Sequence, residues 1–158
     1  MTNLDEQALE MKKEEERITQ YIVIKIDNEQ FGIDIKYIDN IVRMEKITRV
    51  PKAQRYFKGV INLRGEVIPV MDLRVKFDME EMKETKDTRI IILKLDKQST
   101  VGIIVDAVRE VVSLKETDME KVTANAADSR TQYISVIGKH ENELISIINI
   151  ISLVSEEK

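Results

Sequence analysis

From residue 20 onward, apolar residues come in short runs broken by Gly, Asn, Asp or mixed Lys/Glu clusters, a pattern that predicts strands rather than helices. Tyr21 to Ile26 is rich in β-branched residues and stops at Asp27-Asn28-Glu29, and Phe31 to Ile35 then alternates apolar with polar, so the two form a hairpin. Further strands are predicted over Val67 to Met71, Thr88 to Leu95, Val101 to Val105, Arg109 to Leu114, Tyr133 to Ile137 and Leu144 to Ile148, at the close spacing of small barrels. Residues 4 to 17 differ. They are good helix formers whose only apolar positions are Leu4, Ala8, Leu9 and Met11, too few for a buried stripe, so residues 1 to 17 read as a flexible tail.

The strand pattern occurs twice. Ile22 to Asp27 aligns with Ile91 to Asp96 at an offset of 69, and after a one-residue insertion Phe31-Gly32-Ile33 falls on Val101-Gly102-Ile103. Ile35, Ile38 and Ile41-Val42 then fall on Val105, Val108 and Val111-Val112. A weaker echo sets Val67 to Leu73 over Leu144 to Ile150 at an offset of 77. Two similar β units follow one another. The charged stretch Glu80 to Asp87 lies between them and divides residues 18 to 158 at about 84/85, with strands free to interchange at the boundary. Ser113 to Glu120 reads as a turn with a short helix and Ala124 to Arg130 as a polar loop. Asn149 is placed to cap a final short helix ending near Val154.

Composition narrows the function. With 25 basic against 29 acidic residues, a net charge of -4 and few aromatics, the chain repels phosphate backbones and anionic membranes and lacks base-stacking platforms. It has no cysteine, and no apolar run approaches the length needed to span a bilayer, which together with a polar N-terminus suggests a cytoplasmic protein. The only histidine, His140, sits in a polar turn and reads as solvated, and no nucleophile, metal or phosphate-loop motif occurs. Catalysis, a cofactor and a small-molecule substrate are therefore not expected. The densest segment is Gly59 to Arg74: a strand, an Asn62-Leu63-Arg64-Gly65 turn, and a strand whose Pro69 suits an edge or a bulge. On residue chemistry alone Arg64 is either a functional group or a surface charge, and Asp72 with Arg74 reads as an ordinary exposed pair.

The run GVINLRGEVIPVMDLR, with FGIDIKYIDNIV and PKAQRYFKG before it and VGIIVDAVREVV after it, resembles the CheW family of bacterial chemotaxis coupling proteins from about Gln20 to the C-terminus. That resemblance implies an all-β fold of two Src-homology-3-like five-stranded barrels in tandem. It also implies an adaptor that joins the cytoplasmic tip of transmembrane chemoreceptors to the regulatory domain of the histidine kinase CheA, recruited to receptor arrays through protein contacts alone. Carried over by position, Ile38, Val42, Val105 and Val108 line a receptor groove between barrels together with Arg64. Gly59, Asn62, Leu63 and Gly65 form a functional turn, and Asn40, where the family often has an acidic residue, lies near the kinase contact. The alternative is a small β-barrel that binds nucleic acid, which salt-sensitive retention on DNA would reveal.

The tail yields a prediction of its own. Removing residues 1 to 16 should leave the melting temperature and partner binding unchanged, because the segment carries too little apolar surface to pack. A large drop in melting temperature on truncation would show that it does pack.

Overall fold

The computed structural model describes residues 6–7, 17–96, 99–123 and 128–155, and the expected tail otherwise lies outside them, as do residues 124–127 of the expected polar loop. The described chain is all-β. In order its elements are β1 (Ile18–Ile26), β2 (Glu29–Asp34), β3 (Ile38–Arg43), β4 (Phe57–Leu63), β5 (Glu66–Asp72) and a single helical turn α1 (Leu73–Lys76). Then follow β6 (Arg89–Lys94), β7 (Thr100–Val105), β8 (Ala107–Lys115), β9 (Met119–Lys121), β10 (Ile134–His140), β11 (Glu143–Ile148) and α2 (Ile150–Val154). They build the expected tandem of Src-homology-3-like barrels with a short C-terminal helix, which Asn149 caps by accepting a bond from the Ser152 N–H.

Sheet membership does not follow chain order. One sheet runs β8-β1-β2-β11-β10-β9 and the other β3-β6-β7-β5-β4, so the first hairpin of each unit sits in the other unit's barrel, across the 84/85 boundary. The exchange is symmetrical down to the register. Ile22 pairs with Val111 and Ile24 with Val108 in one barrel, while Ile91 pairs with Ile41 and Leu93 with Ile38 in the other. Both pairings carry a bulge at the same place, leaving Arg109 and Asp39 without a partner residue. Both barrels contain one parallel pairing, and it sets Gly32 beside Ile147 and Gly102 beside Val70. A Cβ on Gly32 would stand 2.7 Å from the Ile147 side chain of its parallel neighbour, and one on Gly102 2.9 Å from the Ile90 side chain of its antiparallel neighbour, so these inward glycines leave room for the barrels' filling side chains.

Three apolar clusters follow from this exchange. Tyr21, Val23, Val112, Leu114, Ile145 and Ile147 fill one barrel, and Ile61, Ile68, Val70, Ile90 and Ile92 fill the other. The largest cluster lies between them. It is built from the opposite faces of the same hairpins, Ile24, Ile26, Phe31 and Ile33 against Ile91, Leu93, Ile103 and Val105, with Leu73, Phe77 and Leu153 beside them. Strands buried on both faces need unbroken apolar runs, which is why Tyr21 to Ile26 and Ile90 to Leu93 barely alternate. Each fully buried aliphatic side chain here contributes about 1.5–3 kcal/mol, so most of the barrels' relative rigidity resides in this shared layer.

Several details differ from the sequence pattern. The strand β3 carries too few apolar residues to stand out, and Ser113 to Glu120 holds the end of β8, the expected short helix as a single 3-10 turn at Glu116–Asp118, and the start of β9, which gives that sheet a sixth strand. Pro69 is on an interior strand, but β7 pairs with β5 only from Val70 onward, so the missing N–H falls where no neighbour needs it. His140 is the last residue of β10, half-buried opposite Glu143, rather than a freely solvated turn residue.

Gly59 sits at a bulge in β4 with φ +145°, where an added Cβ would lie 2.1 Å from the Thr48 carbonyl oxygen. Gly59→Ala should therefore lose about 2–4 kcal/mol of stability through strain and separation of the Thr48–Val60 bridge, read by urea unfolding. A loss under about 0.5 kcal/mol would mean that this backbone approach is not fixed.

Candidate functional site

The two edge strands β3 and β8 are equivalent in the repeat, and both present apolar residues beside the shared core. Ile38 and Ile41 on β3, Val108 on β8 and Ile22 on β1 pack against that core yet stay partly exposed, and Val111, opposite Ile22, is 54% exposed. Together they form a half-open apolar seam between the barrels. Of the expected groove residues, Ile38 and Val108 lie on it. Val105 is completely enclosed in the shared core and presents nothing to a partner. Val42 turns toward the interior cluster of Ile61, Ile68 and Val70, because on a strand its neighbour Ile41 takes the opposite face. Asn40 follows the bulge, and its side-chain oxygen accepts the Ile41 N–H at 2.8 Å.

A second candidate lies at the tip of the β4–β5 hairpin. Asn62 and Leu63 belong to β4, and the turn proper is Arg64-Gly65, with φ of +54° and +81°, the signature of a type I′ turn. Gly65 has open space around its Cα, so only its backbone angle asks for glycine, and its N–H reaches the Asn62 Oδ1 at 3.2 Å. Leu63 packs on the barrel cluster while Arg64 is exposed. An arginine in the left-handed region costs on the order of 1 kcal/mol where Asn or Gly would serve, and among the described residues no hydrogen bond or ion pair of its side chain repays this. The equivalent turn of the second unit, Glu141-Asn142, has the same backbone form with opposite charge, φ +49° and +67°. Gly59 belongs to the β4 bulge and not to this turn.

The third feature corrects the reading of Asp72 and Arg74 as an exposed pair, since both are 7% exposed. Asp72 caps α1 by accepting the Arg74 N–H at 2.9 Å. The Arg74 guanidinium turns away to donate to Asp106 through Nε at 2.9 Å and Nη2 at 2.5 Å, to Asp27, and to the Glu80 carbonyl at 3.1 Å. Asp106 also accepts the Asp27 N–H at 2.8 Å. One arginine thus ties the β1–β2 turn of one barrel to the β7–β8 crossing and to the stretch after α1. Burial opposes ionisation of Asp106, but the bonds from Arg74 and the Asp27 amide outweigh it and hold the carboxyl below its ordinary range, while bonding to Asp106 raises the Arg74 guanidinium further. Sequence alone hides this cluster because its members are 47 and 32 residues apart.

Among the described residues no group of His, Cys, Asp and Glu could hold a metal, and no helix is long and apolar enough to cross a membrane.

Comparison with known proteins places these features in a family. Residues 20–158 match the model of the CheW-like domain. The chain is 35% identical over 136 residues to the chemotaxis protein CheW of Bacillus subtilis, covering 86% of each chain. It is 32% identical over 139 residues to that of Klebsiella aerogenes, covering 88% of this chain and 83% of the relative. The crystal structure of the scaffolding protein TtCheW from Thermoanaerobacter tengcongensis superimposes with a TM-score of 0.80 at 31% identity, over 90% of this chain and 97% of that one.

Removing the carboxylate charge at the cluster should leave Arg74 with Asp27 as its one remaining anionic partner, and Asp106→Asn should cost about 2–4 kcal/mol at pH 7. A carboxyl whose native pKa is lowered stabilises the fold above its unfolded pKa of about 4, and that contribution is lost as pH falls through the native value. The gap between wild type and variant should therefore narrow below about pH 4 in denaturant unfolding. A gap that is constant from pH 7 to pH 3 would assign the loss to packing instead.

Proposed function

The chain belongs to the CheW family, and on that premise we propose that it is a non-catalytic scaffold coupling the cytoplasmic tip of chemoreceptors to the regulatory domain of the histidine kinase CheA. The observation that carries the reading is the half-open seam between the barrels, where Ile38, Ile41 and Val108 remain partly exposed over a rigid core. An amphipathic helix laid along such a seam buries apolar anchors at i, i+3 and i+4 spacing without requiring the barrels to open. Val105 and Val42 act beneath it by fixing the positions of these contacts. A second partner can then be held at the same time by the β3 bulge at Asn40 and the hairpin tip of Asn62, Leu63, Arg64 and Gly65. Bridging needs no cofactor and no chemistry. On this reading the protein works in the cytoplasm and reaches the membrane array only through its partners.

The strained Arg64 is the sharpest test. Arg64→Ala should change folding stability by no more than about 0.5 kcal/mol, since the side chain is exposed. Losing a charged contact at a desolvated interface costs about 2–5 kcal/mol, so kinase activation reconstituted with receptor, kinase and the variant should fall at least about tenfold. Ile38→Asp should abolish receptor retention in a pull-down while leaving the kinase bound. Full activation by Arg64→Ala together with normal receptor retention by Ile38→Asp would remove both surfaces from the function.

A further inference from the structure

From the end of β3 to the start of β4 the chain carries Arg43, Lys46, Arg49, Lys52, Arg55 and Lys58, a basic residue at every third position with Glu45 the only acid among them. This concentration is notable in a chain of net charge -4. All but Lys58 are exposed. Arg49 and Lys58, with Lys83, rim a cleft of about 270 Å³ at one mouth of a barrel, and Met44, Ile47 and Ile104 form its apolar wall. Across the cleft runs the charged stretch after α1. Its Glu81 is ion-paired to Lys58 at 2.7 Å, its Glu80 carbonyl is held by Arg74, and the Met82 sulfur lies 3.4 Å from the Arg74 guanidinium. Met82 lines the cleft yet remains 47% exposed, and the Glu81 side chain is half exposed, so this strap occupies the site without filling it.

We propose that this cleft is a docking site for an acidic, extended protein segment carrying an apolar anchor, whose place is held in the free protein by the chain's own Glu81-Met82. The strap is an intramolecular example of the ligand: a carboxylate on the basic rim followed by a flexible apolar side chain over Met44 and Ile47. The hydrogen bond from Lys58, and beyond it the positive charges of Lys58, Arg55 and Arg49, keep the Glu81 carboxyl below its ordinary range, so the rim favours a carboxylate in the ionised state. A surface ion pair of this kind contributes at most about 1 kcal/mol, weak enough for a partner with several carboxylates to displace it. A peptide fits better than a polyphosphate or a lipid surface. Asp72, Glu84 and Asp106 interrupt the positive face at the cleft, and a continuous phosphate array would meet them, whereas spaced carboxylates can step between. This surface is separate from the seam and from the Arg64 turn, so it fails or stands independently of the bridging function.

The test uses the full chain and a fluorescent acidic peptide with a Glu-Glu-Met-Glu-Glu core, followed by anisotropy at low and physiological salt. The wild type should bind it with an affinity that falls as salt rises. Glu81→Gln with Met82→Ala, which removes the internal competitor, should tighten binding about threefold to tenfold, the equivalent of one lost surface pair and one lost apolar contact. Arg49→Glu with Arg55→Glu, both at exposed positions, should weaken it at least about tenfold without changing the melting temperature. Should the charge-reversed variant melt early, the strap variant decides by itself. The proposal falls if the strap variant binds no tighter than wild type, or if charge reversal at an unchanged melting temperature has no effect. It also falls if short duplex DNA or phosphatidylglycerol vesicles displace the probe at equal charge, which would mark a general anion surface.

Discussion

A β-strand with large aliphatic side chains on both faces can be buried only between two layers, and this chain has two such strands, β1 and β6, each opening a hairpin whose second strand adds Phe31 and Ile33, or Val101, Ile103 and Val105, to the same shared face. β1 and β6 turn Val23 and Ile92 into their own barrels and Ile24 and Ile91 outward, and that outer face cannot be left in water. The reciprocal exchange of hairpins places both outer faces against each other. Everything else in the molecule is arranged around that layer. The barrels become a single rigid body, β3 and β8 are left as edges beside it, and the partly exposed seam is simply the margin of the shared core. The two barrels are thus joined through packed side chains.

The Arg74 cluster is the polar counterpart of this apolar layer. It joins the β7–β8 crossing, where the chain passes from one barrel to the other, to the β1–β2 turn and to the stretch after α1, through a guanidinium whose donors face Asp106, Asp27 and a backbone carbonyl. A buried charge so completely bonded fixes register more than it adds stability, since an apolar replacement of similar size could pack as well but would fit more than one alignment of the two turns. The two tyrosines equivalent in the repeat, Tyr56 and Tyr133, flank Lys76 at 3.9 and 5.4 Å, another cation at the junction of the barrels.

Strand positions were legible because local alternation and turn residues determine them, and the aligned repeats anticipated which residues would be equivalent, including Gly32 with Gly102 after the one-residue insertion. The exchange of hairpins was not legible. Ile22 can pair equally well with Ile41 or Val111 as far as pattern is concerned, and only the packed layers distinguish them. β3 escaped notice because this bulged edge strand is half polar, with Ile38, Ile41 and Val42 its apolar residues. At the candidate site, Ile38, Val108 and Arg64 stay accessible, whereas Val105 is enclosed in the shared core and Val42 leans on a barrel interior, a difference the pattern hides because apolar residues read the same whether they face a partner or a core. The basic rim and its strap could be found only once the fold brought Glu81 to Lys58.

The exchanged hairpins also set the timetable of synthesis. β1 and β2 leave the ribosome first, but β8, the strand that β1 must join, ends roughly ninety residues later, and β11, the partner of β2, comes later still. At about 5–20 residues per second the first hairpin therefore waits on the order of 5 to 20 s with both apolar faces and both edges unmatched. The other barrel is complete once Val105 has emerged, and it presents the one surface, Ile91, Leu93 and Ile103, on which the waiting hairpin can rest. The completed barrel would thus act as a template within the nascent chain, protecting an aggregation-prone strand pair until its sheet exists.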